Sequence, residues 1–350
     1  MQPWRANVAA KKVFVGMSGG VDSSVSALLL KQQGYDVIGV YMKNWSKDLP
    51  GMKCPWAEDL ADAKRVAVKL GIDFEVWDFE QEYKQRVVDY MLAEFQKGRT
   101  PNPDVICNEE IKFKIFYEKA LARGADLIAT GHYAKSKNGQ LKLAADSNKD
   151  QTYFLYRISK DAIAHTIFPL GDMKKPEVKA LAAKYGLHNA YKKESMGVCF
   201  VGEVGMKDFL KEFLPESVKP GEIRDAETGE ILGYHDGAIF YTIGQRHGLY
   251  VGGGLPYYVV KKDLVQNIVY ASKNLNDENL WCKELGLEDI ILRASGAFRV
   301  QVRLRHRAPL IPCEFDGQKL IFAEPVKRPA SGQSAVLYDG DVCIGGGVVK

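Results

Sequence analysis

No two cysteines of this chain stand in a C-x-x-C spacing. The six it has, Cys54, Cys107, Cys199, Cys282, Cys313 and Cys343, are scattered, which argues against zinc-finger and iron–sulfur ligand sets, so no metal ligands are expected in the protein itself. No apolar run is long enough for a signal peptide or a membrane span, and the chain opens on MQPWRANVAAKK. A cytoplasmic protein with reduced thiols and no membrane partner is therefore expected. Internal repeats and low-complexity segments are lacking. A strong excess of one charge is lacking too: the net charge is +4 over 350 residues, a mild basic bias that suits nucleic acid without demanding it. What remains, 46% hydrophobic and 26% charged residues, describes a globular chain long enough for two or three domains.

The most informative stretch is Val13–Ser26, VFVGMSGGVDSSVS. Val13-Phe14-Val15 reads as a buried strand, Gly16 to Gly20 as a flexible turn, and Asp22-Ser23-Ser24 as the opening of a helix. A glycine-rich turn between strand and helix lets backbone N–H groups close on an anion, with the helix dipole in support. The competing reading is an ordinary tight turn capped by Ser or Asp. Neither the Walker pattern nor G-x-G-x-x-G fits this turn. Further on, strands Asp36–Met42, Phe74–Asp78 and Asp126–Thr130 alternate with helices Ser23–Gln33, Trp56–Leu70, Glu80–Lys97 and Glu109–Arg123. That alternation predicts a parallel sheet with helices on both faces and ligands at the strand C-termini. Asn138-Gly139 predicts a hairpin within Tyr133–Ala144, and Lys175–Tyr185 a short helix. From Pro215 helices nearly vanish. Residues 215–283 read as a small β-rich connector and 284–350, broken by Ser295-Gly296, Asp316-Gly317 and Asp339-Gly340, as a β-barrel. The domains expected are thus a flexible terminus at 1–10, an α/β domain at 11–214, the connector and the barrel. Gly244–Gly254 reads as connector turns, since no strand-to-helix context surrounds it.

Two stretches carry thiols in distinctive settings. In Arg99–Asn108, RTPNPDVICN, two prolines predict a stiff extended loop, with Cys107 just before a helix that starts near Asn108. A thiol at a helix start is activated, and Asp104 offers a proton acceptor; the alternative is a proline-rich turn with Cys107 as core filler. Cys199, in SMGVCFVG, is flanked by glycines and reads as carried on a mobile loop, or else as packed in a short strand.

In this order, Ser18–Ser23 (SGGVDS), Asn102–Asn108 and Gly197–Gly202 (GVCFVG) resemble the tRNA-uridine 2-sulfurtransferases, the 2-thiouridylases of the PP-loop ATP pyrophosphatase superfamily. The likeness runs from about Lys12 to the C-terminus and includes Met42–Trp45, Ala129–Tyr133, Lys149–Gln151, Tyr241–Arg246, Ser331–Gln333 and Gly345–Gly347. It implies a Rossmann-like α/β PP-loop domain, a small central domain and a C-terminal β-barrel. It also implies ATP-dependent 2-thiolation of the wobble uridine: adenylation of the uracil C2 oxygen, then sulfur transfer from a cysteine persulfide. By the same resemblance Cys107 is the nucleophile, Cys199 the persulfide carrier, and the two form a transient disulfide. Asp104 is the acid/base helper. Gly16, Met17, Ser18, Gly19, Gly20, Val21, Asp22, Ser23, Met42 and Gly131 are implied to bind ATP, accompanied by magnesium. Asn102, Pro103 and Asp104 receive the target base; His132, Lys149, Asp150, Gln151, Arg305, His306 and Gln333 contact the anticodon arm of the tRNA; and a persulfide carrier protein supplies the sulfur. From the residues alone, Asp22 reads as a helix cap, a magnesium ligand or both. Rival readings are another PP-loop ligase, such as an amidotransferase-type synthetase or argininosuccinate synthase, and a nucleotide-sensing, tRNA-binding protein without turnover; neither needs the cysteine pair.

Arg299–Arg307 supports an RNA partner independently. Val300, Val302 and Leu304 alternate with Arg299, Gln301, Arg303 and Arg305; a period of two sets these on one strand face, with Arg307 extending the row. Arginines so arrayed repel one another unless an anion lies across them; the competing reading is a solvated barrel face. If they hold phosphates, tRNA affinity falls steeply between low and moderate salt. A flat salt dependence in filter binding would remove this role.

Overall fold

The computed structural model describes residues 10–49, 53–193, 205–252, 254–293 and 299–350; Cys199 lies outside them. The described residues form two compact units. One comprises residues 10–48, 53–83 and 107–193; the other, 84–106 and 205–350 together with residue 49.

The first unit is built on a five-stranded parallel sheet. Its strands are β1 (Lys12–Gly16), β2 (Asp36–Lys43), β3 (Asp73–Asp78) and β4 (Leu127–Ala129), followed, after a hairpin of β5 (Lys135–Lys137) and β6 (Gln140–Lys142), by β7 (Thr166–Ile167). The order is β3-β2-β1-β4-β7, with β1 registered on β2 through Gly16–Val40 and on β4 through Val15–Ala129. The two-residue strand β7 escapes the sequence pattern because it is too short to show a period. Val13 and Val15 turn to one face, where Val25, Leu28, Val178 and Ala182 form the core. Phe14 turns to the other and meets the Trp77 ring 5.7 Å away, which in turn meets Phe116. Helices thus cover both faces, as the alternation predicts. Helix α1 (Val21–Gln32) starts two residues earlier than its sequence suggests, and α2 (Trp56–Leu70) ends at Gly71, left-handed at φ 58°. In the β5–β6 turn Asn138 and Gly139 both have positive φ, as the dipeptide requires.

The second unit contains two β-structures. The connector sheet has the order β10-β11-β8-β9, where β8 is Gly221–Asp225, β9 Ile231–His235, β10 Tyr258–Asp263 and β11 Ile268–Ser272. The last six strands are β12 (Trp281–Leu292), β13 (Arg299–Arg303), β14 (Ile311–Phe315), β15 (Lys319–Lys327), β16 (Ser334–Asp339) and β17 (Val342–Val349). They run β12-β15-β14-β13-β16-β17, and pairing of β12 with β17 closes the barrel. Val300, Val302, Leu320, Leu337 and Ile344 fill it. On β13 the period-two reading holds: Val300 and Val302 are buried and Arg299 is exposed. The row nevertheless stops at Arg303. Arg305 and Arg307 lie in the turn beyond the strand, Arg307 at φ 64°, so the predicted row, from Arg299 to Arg305 with Arg307 extending it, is corrected to a strand row plus a turn.

Barrel closure depends on Gly345. It pairs with Leu292, its φ is 141°, and a Cβ there would lie 2.0 Å from the Ile291 carbonyl oxygen. Gly345→Val therefore destabilises the protein by about 2–5 kcal/mol through strain and overpacking. Gly317→Ala, at a turn with open space around it, costs about 1 kcal/mol. Urea denaturation of the two variants checks the difference; equal losses would contradict it.

Candidate active site

The turn after β1 leads into α1 with Gly20 as its N-cap and no side-chain cap. Asp22 is the second residue of the helix, so it does not cap it. Ser23 and Ser24 do not cap it either: both hydroxyls donate to the Gly20 carbonyl, at 3.1 and 2.9 Å. Ser23 Oγ also accepts from Ser18 N–H at 3.1 Å, which folds the turn back on itself. The first backbone donors of α1 are thus left without a capping side chain, the arrangement an anion needs.

The other predicted nucleotide residues converge on this turn. Gly131, just past β4, approaches α1 so closely that a Cβ would sit 2.7 Å from Ser23 N and 2.9 Å from the Asp22 carbonyl carbon. A Cβ on Gly16 would sit 2.9 Å from Met42 Cε, at the end of β2. Gly19, at φ 78°, lies against the Asp59 backbone. Met17 differs in its surroundings: it is buried, its N–H donates to the Val40 carbonyl, and its sulfur packs against Gly39.

Sequence reasoning misses two side chains here. Lys175 Nζ donates to both Asp22 oxygens, at 2.7 and 2.8 Å, and Tyr133 OH donates to Oδ1 at 2.9 Å. Lys175 is buried and is the first residue of the helix Lys175–Lys184. A cation is disfavoured at a helix N-terminus, and that misplacement was the available signal. With an ammonium against both oxygens, Asp22 does not fit a magnesium ligand in this structure. Asn189 is the second: its buried amide donates to the Gly19 carbonyl and to Ser24 Oγ, both at 2.9 Å.

The proline stretch folds differently from its reading. The helical run 103–122 begins at Pro103, continues as a π-helix over Cys107–Ile115 and ends as an α-helix over Phe116–Ala122. Proline is welcome at the first helical position because its missing N–H has no partner there anyway. Asn102 precedes it, and its Oδ1 accepts from Val105 N–H at 3.4 Å. Cys107, 3% exposed, is therefore the fifth residue of a helical run instead of its N-terminus. The dipole argument for its activation weakens accordingly, since that field decays within the first turn. The π-helical geometry that starts at Cys107 is a form found frequently at functional sites. Asp104, half-buried, lies in the first turn. No disulfide joins any two of the described cysteines; the expected pairing of Cys107 involves Cys199, outside the described residues.

His132 Nδ1 lies 2.8 Å from Thr130 Oγ1, and the ring sits between Phe113 and Phe168. Burial, with the Lys112 charge, pushes its pKa well below the usual imidazole value, so the ring is neutral at physiological pH. In 149–151, Lys149 is half-buried. The Asp150 carboxylate is buried and accepts from Ala144 N–H at 2.8 Å and Thr152 Oγ1 at 2.6 Å. Gln151 brackets the Tyr133 backbone, its Oε1 accepting from Tyr133 N–H and its own N–H donating to Tyr133 O, each at 2.9 Å. In the second unit Arg305 is exposed and His306 half-buried. Gln333 Nε2 donates to the Thr100 carbonyl at 2.7 Å.

A parallel sheet whose order reverses beside β1, with an uncapped glycine turn at that point, defines a nucleotide-binding α/β domain. Residues 11–203 match the family described as tRNA methyl transferase HUP domain, 207–273 its PRC-barrel domain, and 278–349 the aminomethyltransferase β-barrel domain. Among curated relatives, the tRNA-specific 2-thiouridylase MnmA of Listeria welshimeri is 47% identical over 97% of this chain and 94% of its own length. Those of Lysinibacillus sphaericus (46%, 97% and 94%) and Histophilus somni (48%, 99% and 94%) are similar to the same degree. The chain belongs to the tRNA-specific 2-thiouridylase family of sulfurtransferases. Among solved structures, a 4-thiouridine synthetase–RNA complex with bound ATP shares 18% identity over 59% of this chain and 51% of that one, at a TM-score of 0.38.

The Asp22–Lys175 pair predicts a coupled response. Asp22→Asn and Lys175→Met each destabilise the protein by about 1–3 kcal/mol, because each strands its partner, and the double variant loses less than their sum. Denaturation of the four proteins measures the coupling; strict additivity would refute it.

Proposed function

We propose that this protein thiolates the 2-position of the wobble uridine in tRNA, using ATP. The observation that carries the reading is the uncapped start of α1 converging with Met42 and Gly131, in a chain of the 2-thiouridylase family. In this reading residues 11–214 form the catalytic domain, 215–283 the connector and 284–350 an RNA-binding barrel. The protein works in the cytoplasm, and magnesium arrives on the ATP phosphates.

The uracil C2 oxygen is a poor leaving group. Its attack on the α-phosphorus of ATP expels pyrophosphate and leaves AMP on that oxygen, a good one. The phosphates sit within Gly16–Ser23 on the backbone donors at the uncapped start of α1, while Met42 and Gly131 border the adenosine. The base must leave its stack to react, and Asn102-Pro103-Asp104 receive it. A carrier protein loads a persulfide on Cys199. Its terminal sulfur attacks C2, expelling AMP and leaving the base joined to Cys199 through two sulfurs. Cys107 then attacks Cys199 Sγ, the S–S bond breaks, the thiouridine sulfur leaves as the new thiocarbonyl, and a Cys107–Cys199 disulfide remains for a dithiol to reduce. In a second route Cys107 first frees hydrosulfide, which attacks C2. Asp104 moves the proton in either. Lys149, Arg305 and His306 offer cationic or hydrogen-bonding contacts to the anticodon arm. Asp150, Gln151 and Gln333 act there through the loops they hold, and His132 acts as a neutral ring.

Cys107→Ala and Cys199→Ala each lower thiolation below about a hundredth of wild type while ATP affinity stays within about twofold. Incubation with ATP, sulfur donor and unmodified tRNA, read as a mobility shift in a mercury-containing gel, checks this. Full thiolation by either variant would overturn the mechanism.

A further inference from the structure

Three consecutive residues, Gly98, Arg99 and Thr100, each carry polar atoms held by the connector or the barrel of their own unit, while the N–H groups of Gly98 and Arg99 and the Arg99 Nε turn back to Phe95 and Glu94. Lys262 Nζ donates to the Gly98 carbonyl at 3.0 Å and to the Tyr241 carbonyl at 2.6 Å. A Cβ on Gly98 would fall 2.7 Å from Leu264 Cδ1, so the connector turn that follows β10 lies directly against it. Arg99 pairs with Glu288 of β12, and its Nη2 reaches the Val349 carbonyl at 3.4 Å. Thr100 N–H donates to the Ser331 carbonyl at 2.8 Å, Thr100 O accepts from Gln333, and Thr100 Oγ1 lies 3.2 Å from Thr242 Oγ1. Two residues further on is Asn102, which leads into Pro103 and Asp104.

We infer that Lys262 is a positioning residue for thiolation: by tying Gly98 to Tyr241 it fixes the approach of the segment that carries Asn102 and Asp104. This rests on reading those two as the base-receiving and proton-moving groups. Nothing about stability alone calls for a lysine here. Among the described residues no carboxylate pairs with it, and burial by itself pushes its pKa down to about 8. An ammonium placed among backbone carbonyls at that cost is a directional device, since it binds two particular oxygens where an apolar side chain would only fill space. Displacement of reacting groups by about 1 Å lowers rates by up to about a hundredfold, so a lost tie at Gly98 is felt at Asp104 without any contact to substrate.

The experiment compares wild type, Lys262→Met, Lys262→Arg and the milder Thr242→Val as full-length proteins. Hydrogen exchange of residues 98–106 is measured without RNA or nucleotide, and thiolation kinetics with unmodified tRNA. In Lys262→Met, exchange at 98–106 speeds up and kcat falls about 10- to 100-fold, while the KM for ATP and the tRNA dissociation constant stay within about twofold. Lys262→Arg, which can still donate to both carbonyls, recovers most of the rate. A folded Lys262→Met with wild-type exchange, or with wild-type kcat, overturns the inference. Should Lys262→Met fail to fold, Thr242→Val must show the same kcat-selective loss on a smaller scale, and unchanged kcat there overturns it equally. Absence of thiouridine with the wild-type protein would instead refute the functional reading, and the exchange comparison still decides whether Lys262 holds the segment.

Discussion

A single Cβ on Gly131 would sit 2.7 Å from the backbone nitrogen of Ser23, a distance that no repacking of side chains relieves, because the opposing atoms are main chain. This close passage of the β4 exit against the start of α1 is what the nucleotide end of the protein depends on. It brings the ends of two adjacent strands within one ligand's reach. It also keeps the first turn of α1 bare, since Gly20 caps without a side chain and the serine hydroxyls turn back to the Gly20 carbonyl. Backbone donors held in this way need little reorganisation when an anion arrives, which is where a preorganised site gains over a flexible one.

Charge around the turn is managed with the same economy. Lys175 and Tyr133 both engage Asp22, so the carboxylate is neutralised beside the bare start of α1 instead of repelling an anion there. Because the Lys175 end of the pair is buried and Asp22 is half-buried, the pair is strong only while complete. Asn189 adds a neutral tie to the turn at Gly19. Positive charge, carboxylate and amide thus shape the cradle from three separate parts of the chain, and the donors that face a ligand remain main-chain N–H groups.

The sequence was most readable where structure is local. The alternation of strands and helices, the Asn138-Gly139 hairpin and the short strands of the barrel all follow from periods and turns that span a few residues. It was least readable where one rule has two faces. Proline forbids a helix interior yet suits its first residue, and at Pro103, behind the Asn102 side chain, the second face applies. The arginine row was legible along β13, where buried valines enforce alternation, and not beyond it, where the positive φ of Arg307 turns the chain. Lys175 showed in the sequence only as a cation misplaced at a helix start, and its partner could not be read because it stands 153 positions away. Resemblance named Asp150 among the RNA contacts, but only the structure reveals that its carboxylate is buried on Ala144 and Thr152, so it shapes the loop that presents Lys149.

Gln333 joins these threads. A glutamine amide has two N–H donors and one carbonyl acceptor. One N–H is taken by Thr100 O, and the remaining donor and acceptor are the groups an RNA phosphate or base edge would use. The Thr100 end is fixed twice, since its N–H is bound to Ser331, two residues before Gln333. Lys262 fixes the same loop from the connector, where no RNA contact is needed to hold it. Lys262 and Gln333 therefore hold one loop from two sides, the first from the connector and the second from the barrel.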